Sequence, residues 1–139
     1  MNRMNRIKIT CCLFGGWLMA SGCSTTGTGD HGKADPETVM ITYHVKSGKD
    51  SELQAALASA WQIYLTEHLV YAEPHVVVWA PEDGDKTRFV EIFTWVSHAT
   101  PEHAPDAVKK IWEQEQSLCE ARKGHTAIEG GEVELVGGR

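Results

Sequence analysis

Residues 38–46, TVMITYHVK, form a mostly apolar run whose side chains divide between two faces. Val39, Ile41, Tyr43 and Val45 fall on one face, with Met40, Thr42 and His44 on the other. Pro36 and Gly48 bound this β-branched and aromatic run, which predicts a strand. From Ser51 to about residue 70 the period lengthens: Leu53, Ala56, Leu57, Ala60, Trp61 and Tyr64 recur at helical spacing. Ser51 followed by Gln54 has the form of a capping box, with Asp50 as an alternative cap. Residues 75–80, HVVVWA, are apolar and too short for a helix, and Asp83-Gly84 is a turn signal before the next run. Residues 87–97, TRFVEIFTWVS, read as the strongest strand. Val90, Ile92, Thr94 and Val96 share one face, and Phe89, Glu91, Phe93 and Trp95 the other. Pro105 and Asp106 suit the opening of a second helix. Val108, Ile111, Trp112, Leu118 and Cys119 give it a buried stripe, and Arg122, Lys123 and Gly124 mark its end. Residues 132–136, EVELV, alternate as a last strand.

The order β-α-β-β-α-β predicts an α+β, ferredoxin-like βαββαβ fold: an antiparallel four-stranded sheet with two helices on one face. The third strand is apolar on both faces, yet the helices cover only one. Phe89, Phe93 and Trp95 are therefore expected to form an exposed apolar patch, for which a second copy of the chain is the simplest cover.

The first residues follow a different logic. Arg3, Arg6 and Lys8 precede the short apolar run 9–19, and the small residues Ala20, Ser21 and Gly22 come next. This is the pattern of a secretory signal, and the run is too short to span a bilayer. Ala20-Ser21-Gly22-Cys23 resembles the lipobox of bacterial lipoproteins. The resemblance implies a signal peptide over 1–22, cleavage before Cys23 and acylation of Cys23. Ser24 after that Cys implies an outer-membrane anchor facing the periplasm, rather than inner-membrane retention. An ordinary secretory signal cut at the same bond is the alternative. Residues 24–35 have no large apolar side chain, so 23–35 read as a flexible tether and 36–139 as one domain.

A formal charge of −6 over 139 residues argues against nucleic acid as a partner. Loss of the signal removes three cations and no anion, so the mature chain is more acidic still. The four cysteines, Cys11, Cys12, Cys23 and Cys119, resolve into two that leave with the signal, one anchor and one core thiol.

Within residues 36–139 the chain resembles the dimeric α/β-barrel superfamily, and in it the antibiotic-biosynthesis-monooxygenase-like domains. The carriers are the first strand running into Lys46-Ser47-Gly48-Lys49, the strand Phe89-Val90-Glu91-Ile92-Phe93-Thr94-Trp95, His103 before a helix, and Ile111-Trp112 within it. The resemblance implies two sheets facing each other around a cavity. It allows cofactor-free quinone-forming oxygenation, haem degradation or no reaction at all. The haem-degrading branch uses an Asn on the first strand, which this chain lacks; its Trp and His would correspond to Trp95 and His103.

Glu91, between two phenylalanines on a central strand, is costly unless paired. It is read as a general base or acid, or as a structural carboxylate. His44 neighbours that strand and is expected to face Glu91 as a proton-transfer partner or to line the barrel. His103 is a third catalytic candidate, and with His98 and Glu91 offers no ligand spacing that supports a metal. Phe89, Phe93, Trp95 and Trp112 are candidates for stacking on a flat ligand, or are core. His68, His75 and His125 read as partly solvated residues at element ends. No Gly-rich phosphate loop, G-x-S-x-G or C-x-x-C occurs, and no cofactor or metal is implied. The expectation is a lipid-anchored homodimer that binds a small, mostly apolar or aromatic molecule. The alternatives are a cofactor-independent monooxygenase acting on a quinol or polyphenol, and a structural module of the envelope.

Overall fold

A computed structural model describes residues 35–136; the residues expected to form the signal, Cys23 and most of the expected tether lie outside them. The elements run β1 (Glu37–Val45), α1 (Asp50–Thr66), β2 (Val70–Pro81), β3 (Thr87–Trp95), α2 (Asp106–Leu118) and β4 (Ile128–Glu132), with a short 3-10 turn at Pro101–His103. The sheet order is β2-β3-β1-β4, and every pairing is antiparallel. This is the ferredoxin-like α+β fold expected from the element order. No helix of the described residues is long and apolar enough to cross a membrane.

α1 and α2 pack together over one face of the sheet. Their inner stripes meet Val39, Tyr43, Val45, Phe89, Phe93 and Trp95 in a single core. Tyr64 of α1 lies 5.8 Å from Phe93 and 5.2 Å from Trp95 between ring centroids, and Trp95 meets Trp112 of α2 edge to face. Each such ring contributes about 1.5–3 kcal/mol by leaving water, and edge-to-face geometry adds to that.

The face assignment of β3 is the main correction. Phe89, Phe93 and Trp95 are buried beneath the helices rather than exposed. The outward set is Val90, Ile92 and Thr94, flanked by Val76 and Val78 on β2 and by Met40 and Thr42 on β1. An apolar sheet face is therefore still open, but it is aliphatic; Val76 and Val78 are 44% and 48% exposed.

Four smaller differences have local causes. α1 stops at Thr66 because His68 takes a left-handed φ of 55°, and Leu69 N–H returns to the Tyr64 carbonyl. The freed residues lengthen β2 back to Val70. The Ser51–Gln54 capping box does not form: Lys49 caps the helix without a side-chain bond. α2 ends at Leu118, and Arg122 and His125 instead exchange backbone bonds across a turn in which Gly124 has φ 83°. The last strand is IEGGE rather than EVELV. Gly130 and Gly131 pair with Ile41 and Met40 of β1 through the backbone. Leu135 and Val136 have no core to join and stay exposed.

Candidate functional site

β3 carries a carboxylate into the core. Glu91 is 1% exposed, and its two oxygens have one partner each. Tyr43 Oη donates to Oε2 at 3.0 Å, and His75 Nε2 lies 2.9 Å from Oε1. The register explains both contacts. Glu91 pairs with Ile41 of β1 and Val77 of β2, so Tyr43 and His75 are its diagonal neighbours on the same face. His75 reaches that face because the β2–β3 register shifts between Val70 and His75. Pro74, just before it, has no N–H to offer the ladder. Trp61 of α1 lies flat on the His75 ring, 3.6 Å between centroids at 7°, and fixes its plane.

Burial pushes the Glu91 carboxyl above its ordinary range, and the bonds from His75 and Tyr43 work against that rise. Burial, then the charges of Glu91 and Glu115, drive the Tyr43 phenol well up, so it stays protonated and donates. Glu115, on the inner stripe of α2, is 2% exposed and its Oε1 has no partner. Burial, followed by the charge of Glu91, pushes it up to about 8.

His75 also lines a groove between α1 and the outer strand β2. The groove encloses about 430 Å³ and is bounded by Asp50, Gln54, Leu57, Val77, Trp79 and Phe89 among others. That volume is within the range of small-molecule sites, about 300–1,000 Å³. Its far wall is braced by Asp50, which accepts from Trp79 Nε1 at 3.0 Å and from Thr87 Oγ1 at 2.5 Å. Those bonds, that of Thr87 foremost, hold the Asp50 carboxyl below its usual range.

The structure separates several residues that the sequence suggested together. His44 is on the opposite sheet face from Glu91 and cannot pair with it: it stands opposite Arg88, and Glu91 opposite Ile41. His103 is exposed in the Pro101–His103 turn. His98, also exposed, pairs with Glu37 at 3.2 Å. Of the four aromatic candidates, Phe89 alone lines the groove; Phe93 and Trp95 are core, and the half-buried Trp112 donates its indole N–H to Tyr64. His75 is the residue that sequence reasoning missed. The available signal was alternation: His75, Val77 and Trp79 share a face, and a buried Glu91 needs a donor from a neighbouring strand. Cys119 is buried, and burial pushes its thiol up to about 12, which fits an inert core residue.

The chain is thus a single-sheet α+β protein in which a buried carboxylate meets a half-buried imidazole at a groove. No family model and no curated protein matches the sequence. Among solved structures it is similar to SnoaB, a cofactor-independent oxygenase from Streptomyces nogalater. The TM-score is 0.53 at 15% identity, over 76% of this chain and 97% of that one. An Asn-to-Ala variant of SnoaB matches with a TM-score of 0.51 at 16% identity, over 73% and 94%. A Chloroflexus aurantiacus protein assigned as an antibiotic biosynthesis monooxygenase matches with a TM-score of 0.49 at 18% identity, over 76% and 97%. At these identities the likeness to SnoaB shows a shared fold.

Proposed function

We propose that the protein binds a flat, mostly apolar small molecule in the groove between α1 and β2. The observation that carries this reading is the His75–Glu91 pair at the groove: a ligand-sized cleft in which a fixed imidazole stands beside the apolar surfaces of Leu57, Val77, Trp79 and Phe89. Glu91 occupies Nε2, which leaves His75 Nδ1 for a ligand hydroxyl. Trp79 and Phe89 supply surfaces for a ring. Titrating the protein with a panel of hydroquinones and polyphenols, read by tryptophan fluorescence, tests it. Wild type is expected to bind saturably, and Ala58→Trp, which fills the groove from an exposed position, to lose at least tenfold in affinity. Absence of saturable binding across the panel would leave an inert envelope module as the reading.

The same pair supports a second reading, cofactor-independent oxygenation of a phenol, and the fold shared with SnoaB is consistent with it. His75 would take the phenolic proton while Glu91 stabilises the resulting imidazolium. The electron-rich anion then reacts with O2. One oxygen atom enters the ring, the other leaves as water with two hydrogens, and the substrate supplies all the electrons. Oxygen uptake that persists unchanged in both His75→Ala and Glu91→Gln would remove this chemistry.

A homodimer through the aliphatic sheet face would cover Val76, Val78, Val90, Ile92 and Met40. Acylation at Cys23 would hold the domain at the outer membrane. Equal fatty-acid labelling of wild type and Cys23→Ala would contradict the anchor.

A further inference from the structure

A second polar cluster lies across the sheet from the groove. His44, near the end of β1, is buried, with its Nδ1 2.9 Å from Glu82 Oε1 and its Nε2 3.3 Å from Glu129 Oε2. His125, in the turn before β4, places Nδ1 3.0 and 3.1 Å from the two oxygens of Glu129. One donor atom each from His44, His125 and Glu129 falls within 4.8 Å of the others. Glu82 is held in turn by Arg122 Nε at 3.2 Å.

The proton count makes this cluster informative. A neutral imidazole has one N–H. Glu82 is the nearer acceptor and is itself fixed by Arg122, so it takes the Nδ1 proton. Nε2 then presents a lone pair to a carboxylate oxygen, and two lone pairs at 3.3 Å repel unless a cation lies between them. A metal ion satisfies the arrangement as well as a second proton does. In a tetrahedral site with bonds of about 2.0–2.1 Å, ligand atoms stand about 3.3 Å apart. The His44–Glu129 and His125–Glu129 separations are close to that edge. A carboxylate behind the distal nitrogen of a ligating histidine is also the usual outer contact of such sites. Among the described residues Arg122 pairs with Glu82 and Glu120, Lys86 pairs with Glu120, and Glu129 meets the two imidazoles alone, so three carboxylates stand against two fixed cations and the local charge favours another cation. His125 is exposed and Glu129 half-buried, which leaves an entry path and room for water as the fourth ligand.

We propose that His44 Nε2, His125 Nδ1 and the Glu129 carboxylate form a binding site for a divalent transition metal of the zinc type, with Glu82 and Arg122 as the outer bonds that orient His44. The site is independent of the groove: it occupies the other sheet face and shares no residue with it.

Calorimetric titration of the purified full-length protein with Zn2+ tests this, and Co2+ serves as the spectroscopic probe. Saturation at about one ion per chain is expected, with visible Co2+ absorption of four-coordinate intensity. His125→Ala and Glu129→Gln alter accessible side chains, and each should weaken Zn2+ binding by at least tenfold and abolish the Co2+ bands. Glu82→Gln should weaken it by about 10–100-fold, the range for an outer carboxylate. His103→Ala, exposed and outside the cluster, should bind as wild type does. Absence of saturable binding, or unchanged affinity in both His125→Ala and Glu129→Gln, would overturn the site and leave His44 as a structural residue held between two carboxylates.

Discussion

Replacing Glu115 with Met should stabilise the protein at neutral and alkaline pH. Glu115 takes the third place in the α2 stripe Val108, Ile111, Glu115, Leu118, where helical spacing calls for an apolar side chain. Its carboxyl titrates near 8 in the fold against 4.5 for the free side chain, because burial and then Glu91 disfavour the anion. A raised folded value means the native state holds a proton that the unfolded chain releases. This group's contribution is fully present below about pH 4.5 and is lost as pH rises through 8. At 1.36 kcal/mol per pH decade, the loss is about 3 kcal/mol by pH 7 and about 5 kcal/mol above pH 8. Met is similar in length, has no charge to desolvate and leaves no unpaired oxygen. Urea midpoints at pH 5.0, 7.0 and 8.5 should therefore fall steeply for wild type, and several kcal/mol less steeply for Glu115→Met. The variant should be the more stable protein at pH 8.5. Because Glu91 is the second cause, Glu91→Gln should make the fall due to Glu115 smaller and end it at a lower pH, by letting the Glu115 anion form with less opposition. Parallel pH profiles for wild type and Glu115→Met would refute the reasoning, since they would mean that Glu115 is as well solvated in the fold as in the unfolded chain.

Glu91→Ala should cost about 3–5 kcal/mol in chemical denaturation, because it strands the Tyr43 hydroxyl and His75 and opens a cavity; a loss below 1 kcal/mol would show that the network is not formed. Gly84→Ala should cost about 1 kcal/mol, since Gly84 sits at φ 70° in the β2–β3 turn and a thermal melt reads the change directly. Asp50→Ala should weaken the turn end of the sheet by about 1 kcal/mol through the lost Thr87 and Trp79 bonds. The wild-type advantage there should hold above pH 4 and vanish as acid protonates Asp50, whose folded value lies lower. Ile92→Arg on the open sheet face should leave the helical circular dichroism unchanged and, if the chain pairs through that face, convert a dimer mass to a monomer mass in light scattering.

Element order and type were legible because β1, α1, β3 and α2 each show one clean period. The direction of β3 was not. Its two faces, Phe/Glu/Phe/Trp and Val/Ile/Thr, are both apolar enough to be buried, so alternation alone cannot say which lies under the helices. The aromatic face carries Glu91, whose burial depends on partners from other strands. The residues that make its burial tolerable, Tyr43 and His75, are 48 and 16 positions away in the chain. The same distance in sequence hid the His75 pair and the His44, His125 and Glu129 cluster, whose members come from β1, a turn and β4. β4 was misplaced because two consecutive glycines suppress strand propensity, while backbone pairing with β1 needs no side chain there. Glu91 itself was legible as the group around which a site would form, because a carboxylate flanked by Phe89 and Phe93 demands a partner wherever the strand lies.

The aliphatic outer face of the sheet makes the stability of this protein a question of how much of it is present. Val76, Val78 and Met40 stay in water on a lone chain. If they are covered by a second copy, folding and association become one equilibrium, and the melting temperature climbs with each increase in protein concentration. If nothing covers them, the melting temperature is flat across a dilution series and the face instead limits solubility. A tether that confines copies to one membrane surface would act in the same direction as concentration, raising the occupancy of the paired state without adding a contact.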